Sequence, residues 1–541
     1  MNKEFFREVR EAFHRYREYK QELDMRILEN NRWLKEQTAF SEHGDETTRP
    51  ATAFVFNAIA NKHADAMDNY PEPNILARCQ EDEGQAQLLS KMIPTQLEAS
   101  GFKRTYSRAW WYKLKHGAAL YGVFFEPSEN HGMGDICIRQ LNLLHVFWEP
   151  GIEDIQDSKF LFLTSMEHVD TLRERYPGKE IHPYEEPEGA WRWRTTWEKE
   201  PDMAQVVDCY YKKDGALHLL TYCGNEVLDS SEDRGMEGIY QHGKYPVVAD
   251  VLFPQEDSPV GLGMIDVMKN PQEYINKLDG IISKNALISG KVRFLIKDSG
   301  GVNEQEFLDM SQDVIHVAGS VSEDNIRQFQ AAPLDGYIIS HRQNKIAEMK
   351  EIAGNRDFQQ GGTSNGVTAY SAISALQQAG EKLSRDMIAE TYEAYKEIVY
   401  LCIELVREFF DEPRFYRYTK TDGQAEYIAY SNEGLKERRI EDTVLEEEIY
   451  RRPEFDIEVS VQRNSPYNKI TQNQLATGLY QMGVFHPDAA EQALMLLELM
   501  QFDGKAKVME YIRKNKEERR DSNGRHILQN EGDRQTGGNA P

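Results

Sequence analysis

Residues 271–290, PQEYINKLDGIISKNALISG, and residues 336–354, GYIISHRQNKIAEMKEIAG, decide the reading of this chain. In the first, Pro271, Tyr274, Ile275, Leu278, Ile281, Ile282 and Ile288 fall at helical spacing along one face. Asn276, Lys277, Asp279, Ser283 and Lys284 lie elsewhere, and Gly290 ends the helix. In the second, Ile339, Ile346, Met349 and Ile352 keep helical spacing from Ile338 until Gly354. Between them Val292, Phe294 and Ile296 alternate with Lys291, Arg293 and Lys297, which predicts a short strand; Val314-Ile315-His316-Val317 predicts another. A loop at 355–367 carries Gly361, Gly362 and Gly366 among Gln, Ser, Thr and Asn. Beyond it Ile373, Leu376, Leu383, Met387, Tyr395, Ile398, Cys402, Leu405 and Phe409 mark a helix of roughly 60 Å, at about 1.5 Å per residue. Two helices bracketing a compact insert suit a rod with a knob at one end and a flexible hairpin at the other. Enzyme pockets are not usually built that way.

Outward from this stretch the pattern is α+β. Lys3 to Lys35 reads as one amphipathic helix or two, with Phe6, Val9, Phe13, Leu23 and Ile27 near one side, and Ser41 to Thr48 as a polar loop. Pro50–Asn69 and Gly84–His116 look helical. From Leu120 to Val251 short apolar runs separated by Pro, Gly and acidic turns read as strands: 123–125, 136–138, 160–163, 206–207 and 217–220. After the long helix, 416–430 and Phe455 to Val461 return to strands. Residues 468–512 are helical again, with Leu475, Leu479, Met482, Ala489, Ala493, Leu496, Leu497 and Met500 on the apolar side. The tail from Glu517 is polar and expected to be disordered.

With 541 residues and 40% hydrophobic content the chain needs several layers or subdomains. Its apolar runs, such as Ile398 to Ile403, are far shorter than a membrane span, and Met1 to Lys20 has no apolar signal core. Five scattered cysteines without a CxxC pair argue against a disulfide framework or zinc ribbon, and are read as buried small hydrophobes in a reducing compartment. The formal net charge of −26 opposes a phosphate backbone, which excludes an ordinary DNA-binding regulator. It fits either a weakly adhesive conduit for DNA or the general dispersal of a soluble protein.

No chemistry-bearing pattern emerges. There is no HExxH, no GxSxG and no paired metal-ligand spacing, so no cofactor or metal is expected. His116, His145 and His316 read as structural. Gly261-Leu262-Gly263 lacks the third glycine of a dinucleotide site and reads as a turn. Gly504-Lys505 is followed by Ala506 and has Leu499 where a phosphate loop needs glycine. Glu81-Asp82-Glu83 and Glu446-Glu447-Glu448 read as solvated faces.

The order of several motifs resembles the portal proteins of tailed bacteriophages over roughly residues 50–515. These are Arg49-Pro50 through Asn57-Ala58-Ile59 to Tyr70-Pro71-Glu72-Pro73; His116-Gly117-Ala118-Ala119-Leu120-Tyr121-Gly122-Val123; and Ile138-Arg139-Gln140-Leu141 leading to Val146-Phe147-Trp148-Glu149-Pro150-Gly151. Ile155-Gln156-Asp157, Arg175-Tyr176-Pro177, Tyr245-Pro246-Val247-Val248 and Pro259-Val260-Gly261-Leu262-Gly263 follow, then Gln272 with Ile275-Asn276. Gly366-Val367-Thr368-Ala369 with Ala372, Ile373 and Leu376 resembles the start of the family's long helix. Portal relatives often carry Asp where Glu149 stands.

The resemblance implies a portal fold. An N-terminal helical arm (1–49) would precede a wing (50–255), a first stem helix (256–290), a clip (291–335) and a second stem helix (336–354). A tunnel loop (355–367), a long wing helix (368–411), further wing strands (412–466), crown helices (467–516) and a disordered tail (517–541) would complete it. It implies a closed homo-oligomeric ring, usually a dodecamer, at one capsid vertex of the virion, assembled in the host cytoplasm. Partners would be the large terminase subunit, the major capsid and scaffold proteins, a head-completion adaptor and duplex DNA passing without sequence specificity. In the tunnel loop, Arg356, Asp357, Phe358, Gln359, Gln360, Thr363, Ser364 and Asn365 would meet that DNA. Lys284, Lys291, Arg293, Lys345 and Lys350, on or beside the stem, would either form basic rings lining the channel or pair with neighbouring subunits. Tyr392 to Phe410, apolar on two faces, would serve core and neighbour together. The alternatives are another head protein, minor capsid or adaptor, and a packaging nuclease or ATPase, for which no metal cluster or phosphate loop is found.

Overall fold

The structure is a computed structural model. It describes residues 3–38, 52–184, 202–290, 293–296, 305, 326–329, 334–354, 382–419, 425–441, 448–463 and 477–481, with 493–495, 497, 508–509 and 511–514. The chain divides into two compact units, 1–461 and 462–541.

The first unit opens with helices α1 (Lys3–Thr38) and α2 (Phe54–Asp68), strand β1 (Asn69–Ala77), and helices α3 (Glu83–Ala99) and α4 (Phe102–His116). Strands β2 (Ala118–Glu126), β3 (Asp135–Leu141), β4 (Val146–Phe147) and β5 (Phe160–His168) come next, then α5 (Val169–Arg175). Strands β6 (Met203–Lys213), β7 (Ala216–Cys223), β8 (Glu226–Ser230), β9 (Val247–Val251), β10 (Phe253–Gln255) and β11 (Ser258–Leu262) lead into α6 (Met264–Ser289). Strands β12 (Arg293–Ile296) and β13 (Ile326–Phe329) separate α6 from α7 (Gly336–Ile352). Helix α8 (Lys382–Phe409) precedes β14 (Arg414–Thr419), β15 (Ala425–Tyr430), β16 (Arg438–Glu441), β17 (Glu448–Arg451) and β18 (Phe455–Arg463).

This is the mixed helix-and-sheet class that the pattern predicts. α1 is one continuous helix. Its first half lies on the antiparallel sheet β4-β5-β6-β7-β8. Alternation along the strands puts Phe160, Phe162, Val207, Cys209, Tyr211, Leu220 and Tyr222 on the face that receives Val9, Ala12, Phe13 and Tyr16. Phe13 meets Phe147 and Phe162 edge-on at centroid distances of 5.3 and 5.2 Å.

The main core lies between the sheet β3-β2-β9 and helices α4 and α8. Ala118 to Val123 of β2 are all buried. At its centre Lys113 of α4 donates to Asp250 of β9 (2.6 Å), to Thr391 Oγ1 (2.7 Å) and to the Met387 carbonyl of α8 (3.0 Å). Both charged side chains are fully buried. Burial pushes the Lys113 pKa down and that of Asp250 up, and each charge counteracts the shift of the other. Two motifs far apart in sequence also meet here. Gly117 has φ +90°, and a Cβ on it would lie 2.2 Å from the Gly261 carbonyl oxygen; one on Gly263 would lie 2.3 Å from the Lys115 carbonyl oxygen. The chains cross so closely that only glycine fits.

Several expectations are corrected. Residues 84–116 form two helices, broken where Gly101 takes φ +70°. The predicted 50–69 helix covers Phe54–Asp68 and gives way to β1, which pairs with β18. The prolines hide that strand from a sequence reading. Arg78 N donates to the Glu454 carbonyl, so even positions of β1 face β18 and odd ones face away. Pro71 and Pro73 need no donor there, and Ile75 N is taken by Ser90 Oγ at 2.8 Å. Gly261-Leu262-Gly263 is the end of β11 and the cap of α6. Of the cysteines, Cys209, Cys223 and Cys402 are buried, but Cys79 is exposed and Cys137 half-buried. Asp82 belongs to no solvated face: it is buried and paired with Arg451, which also holds Glu81 at 2.8 Å.

Helix α8 is apolar on two faces, but the subunit's own core uses both. Ala394, Tyr395, Ile398, Val399, Leu401, Cys402, Ile403, Leu405 and Val406 are all buried, with β1, β2, β9, α2 and α3 around them. What both faces leave beyond the core is the half-buried Tyr392, Tyr400 and Phe409. Residues 314–317 and 368–381 lie outside the described residues, as do the 41–48 loop, Leu475, Met482, Ala489, Leu496, Met500, 504–505 and the tail. In the second unit Leu479, Ala493, Leu497 and Ile512 form a small cluster of their own.

Candidate functional site

The candidate site is the α6–α7 hairpin and the segment that follows it. α6 is capped by Asp266, whose Oδ2 accepts from Gly263 N at 2.8 Å. Its inward face is Met264, Ile265, Met268, Gln272, Ile275, Leu278 and Asp279. Gln272 donates to the Thr52 carbonyl at 2.7 Å and ties the entry of α2 to α6. From the other side α1 adds a polar ladder: Asn30 to Asp266 (2.6 Å), Trp33 Nε1 to Glu273 (3.0 Å) and Asn276 to Gln37 (2.8 Å).

The predicted apolar face of α6 is thus corrected. Ile275 and Leu278 are buried, while Tyr274 and Ile281 are exposed, and Asp279, placed elsewhere by the pattern, is inward. Its reason is on α7. Arg342 embraces the Asp279 carboxylate through both nitrogens, Nη2 to Oδ2 at 3.0 Å and Nε to Oδ1. Tyr274 OH and His341 Nε2 are 3.2 Å apart, and Leu334 N donates to Asn285 Oδ1 at 3.1 Å. Tyr274 and Asp279 meet residues 341–342, whereas Asn285, further along α6, meets Leu334 just before α7, so the helices are antiparallel. β12 and β13, an antiparallel pair from Arg293↔Phe329 to Ile296↔Ile326, lie between them in sequence.

Val267, Tyr274 and Ile281 are 42%, 43% and 51% exposed, and half-buried Ile288 continues their seven-residue spacing. Seven-residue spacing keeps apolar groups on one side of a helix and is the seam of helix-on-helix packing. Exposed Lys277 and Lys284 flank this stripe. The exposed surface of α7 is mixed: Ser340, Asn344, Ala347 and Glu351 form a small, polar row, while Tyr337, Ile339 and Ile352 are exposed apolar residues beside it. The sequence carried the seven-residue signal, but it was merged with the inward face.

Of the candidate channel residues, Lys284 is exposed, Lys345 is half-buried and bound to Glu348 at 2.7 Å, and Lys350 is half-buried. Arg293 begins β12, and Lys291 lies outside the described residues. So do Arg356, Asp357, Phe358, Gln359, Gln360, Thr363, Ser364 and Asn365. The described flanks of that segment meet each other. Gly354 has φ +65°, and a Cβ on it would lie 3.0 Å from Leu383 Cδ2 and 3.5 Å from Lys62 Nζ. Buried Lys62 donates to Ser384 Oγ (2.8 Å), which donates to Asp65 (2.8 Å). The chain therefore leaves α7 and re-enters α8 at one pinned point.

His116 and His145 are structural, as read. Burial lowers the His116 pKa to about 3, so it is neutral, and His145 Nδ1 lies 3.3 Å from Thr164 Oγ1; His316 lies outside the described residues. On α8, Glu404 is held by Arg407 (3.1 Å) and Arg452, while Glu408 accepts from Gln241 N (3.1 Å). Burial raises the Glu408 pKa from 4.5 to about 7, the Gln241 bond opposes this, and the Glu404 charge adds to it. A raised folded-state pKa gives stability that is complete below about 4.5 and is lost as pH rises to about 7. The melting temperature of Glu408→Gln should match the wild type near pH 4, below the ordinary carboxylate value, and exceed it near pH 8. A gap that does not change with pH would contradict this account.

Among the described residues no group of three or more His, Cys, Asp or Glu side chains is arranged to hold a metal, and no helix is long and apolar enough to cross a membrane. The α+β body thus carries a paired-helix arm on which Val267, Tyr274 and Ile281 remain partly exposed. The family model described as phage P22-like portal protein matches residues 222–535, and the chain belongs to that family. No curated protein was found to match it.

Proposed function

We propose that this portal protein forms a closed ring at the unique vertex of a tailed-phage head, through which duplex DNA is packaged and later ejected. One observation carries the ring: the stripe Val267, Tyr274, Ile281 and Ile288 stays largely exposed, with Tyr274 held at one edge by His341, on a helix whose other face is fully used. A ring needs heterologous contacts, one surface of a subunit against a different surface of the next. The α6 stripe with its lysines and the exposed side of α7, a polar row beside Tyr337, Ile339 and Ile352, are two such surfaces. In this reading α6 and α7 are the stem, the 291–335 insert with β12 and β13 is the clip that docks the large terminase subunit, and the wing is the body around α8. Residues 467–516 are the crown, and capsid, scaffold and head-completion proteins bind the assembled ring. Lys284, Lys291, Arg293, Lys345 and Lys350 line the stem or pair across its seams.

The 355–367 segment is the tunnel loop, with Arg356, Phe358, Gln359, Gln360, Thr363, Ser364 and Asn365 offered to DNA. Its supporting observation is the pinned point at Gly354, Leu383 and Lys62, which isolates changes in the loop from the helices. Such polar residues bury little apolar area, worth about 25 cal/mol per Å². Deleting 359–365 should leave rings that assemble and bind the motor while packaging or genome retention falls. Replacing 291–335 with a Gly-Ser linker should instead abolish pull-down of the large terminase subunit. Full, stably held genomes after the first change, or undiminished motor binding after the second, would refute the corresponding role.

A further inference from the structure

Helix α4 departs from the charge of the rest of the chain. Its fifteen residues include Lys103, Arg104, Arg108, Lys113 and Lys115 and no Asp or Glu, in a protein of net charge −26. Lys113 is spent in the core on Asp250. Lys103, Arg104 and Arg108 are exposed, and the last two, one turn apart, have no hydrogen-bond or ion-pair partner among the described residues. Beside them the Trp111 ring stacks on Phe56 (6.1 Å) and on His63 (5.0 Å) of α2, and His63 Nε2 lies 3.0 Å from Ser107 Oγ.

We infer that the outer α2–α4 face is a binding surface for the phosphate backbone of duplex DNA, separate from the 355–367 segment and the stem. Three arguments lead there. Guanidinium groups with free donors suit phosphate oxygens, and two of them one helical turn apart address neighbouring phosphates of one strand. The acidic charge elsewhere does not prevent this, because at physiological salt charges beyond about 8 Å are screened and the local cations dominate. The aromatic group is mostly taken up within the helix pair: Trp111 stacks on both Phe56 and His63, and the 43% exposed Phe56 is a single ring, not a pocket for the anchor residue of a protein partner. What remains outward is charge without a sequence-reading element, which predicts weak, non-specific binding.

The test is fluorescence anisotropy of a labelled 24-base-pair duplex titrated with the full chain across a salt series. Each phosphate contact contributes a slope of about −0.9 in log K against log salt, so three cations at this face contribute about −2.7. Arg104→Gln/Arg108→Gln should make the slope shallower by about 1.8 and weaken binding at low salt about tenfold or more. Both side chains are exposed, so the melting temperature should not change. Arg7→Gln/Lys213→Gln removes the same charge from other exposed sites and should leave the slope as it was. An unchanged slope in the Arg104/Arg108 variant, an equal loss in the control, or no binding by the wild type would overturn the inference. So would polyglutamate binding as tightly as the duplex at matched charge, which would assign the face to an acidic protein segment. The variants are compared with the wild type in one oligomeric state, because a ring presents this face in every subunit.

Discussion

Asp250→Ala is expected to destabilise the first unit by about 3–5 kcal/mol, because it leaves the Lys113 ammonium buried with only a hydroxyl and a carbonyl for company. The magnitude follows from the asymmetry of buried pairs. The intact Lys113–Asp250 pair does little more than offset its own desolvation, whereas one partner alone carries the full penalty. Removing the second charge should therefore help. The double variant Lys113→Met/Asp250→Ala should recover most of the loss, since Met fills a similar volume beside Trp110, over which Lys113 now lies at 4.8 Å. Urea denaturation followed by tryptophan fluorescence reads both. A double variant that loses as much as the sum of the single changes would show that the pair is not coupled.

The second large effect is expected on assembly. Ile281→Asp, at the centre of the open stripe and 51% exposed, should leave the subunit folded and prevent ring formation. Burying a carboxylate without a partner costs several kcal/mol, and the defect recurs at every seam of a closed ring. The flanking Lys284 does not rescue the aspartate if the seam excludes water. Ile281→Leu should assemble normally, as a volume-conserving apolar change. The check is size-exclusion chromatography of each variant alongside its circular dichroism spectrum. Assembly of the aspartate variant at the wild-type concentration would remove α6 from the seam.

Much of the architecture was legible in the sequence, because period and punctuation carry it. The breaks at Gly290 and Gly354, the alternation around Phe294 and the runs at 160–163 and 217–220 all fall in elements of the expected type. What was not legible depends on partners distant in sequence. Asp279 looks like a surface residue until Arg342 is placed against it, and Asp82 until Arg451 is. β1 hides behind two prolines whose missing donors matter only once β18 fixes which edge is paired. Helix α8 shows two apolar faces, and only the sheet and helices around it reveal how much of both the subunit's own core takes. The stripe on α6 was hidden for a related reason. Tyr274 and Ile281 share helical spacing with Ile275 and Leu278, and separating an inward from an outward face needs the fold.

The central claim is that this chain closes into a ring through its α6–α7 arm. The mass of the purified particle, measured by sedimentation velocity across a wide range of concentration and salt and again with scaffold or capsid protein present, tests it most directly. The account predicts a single species that is a whole multiple of the 62.6 kDa subunit and consistent with a closed ring. Monomer alone under every one of those conditions would contradict it.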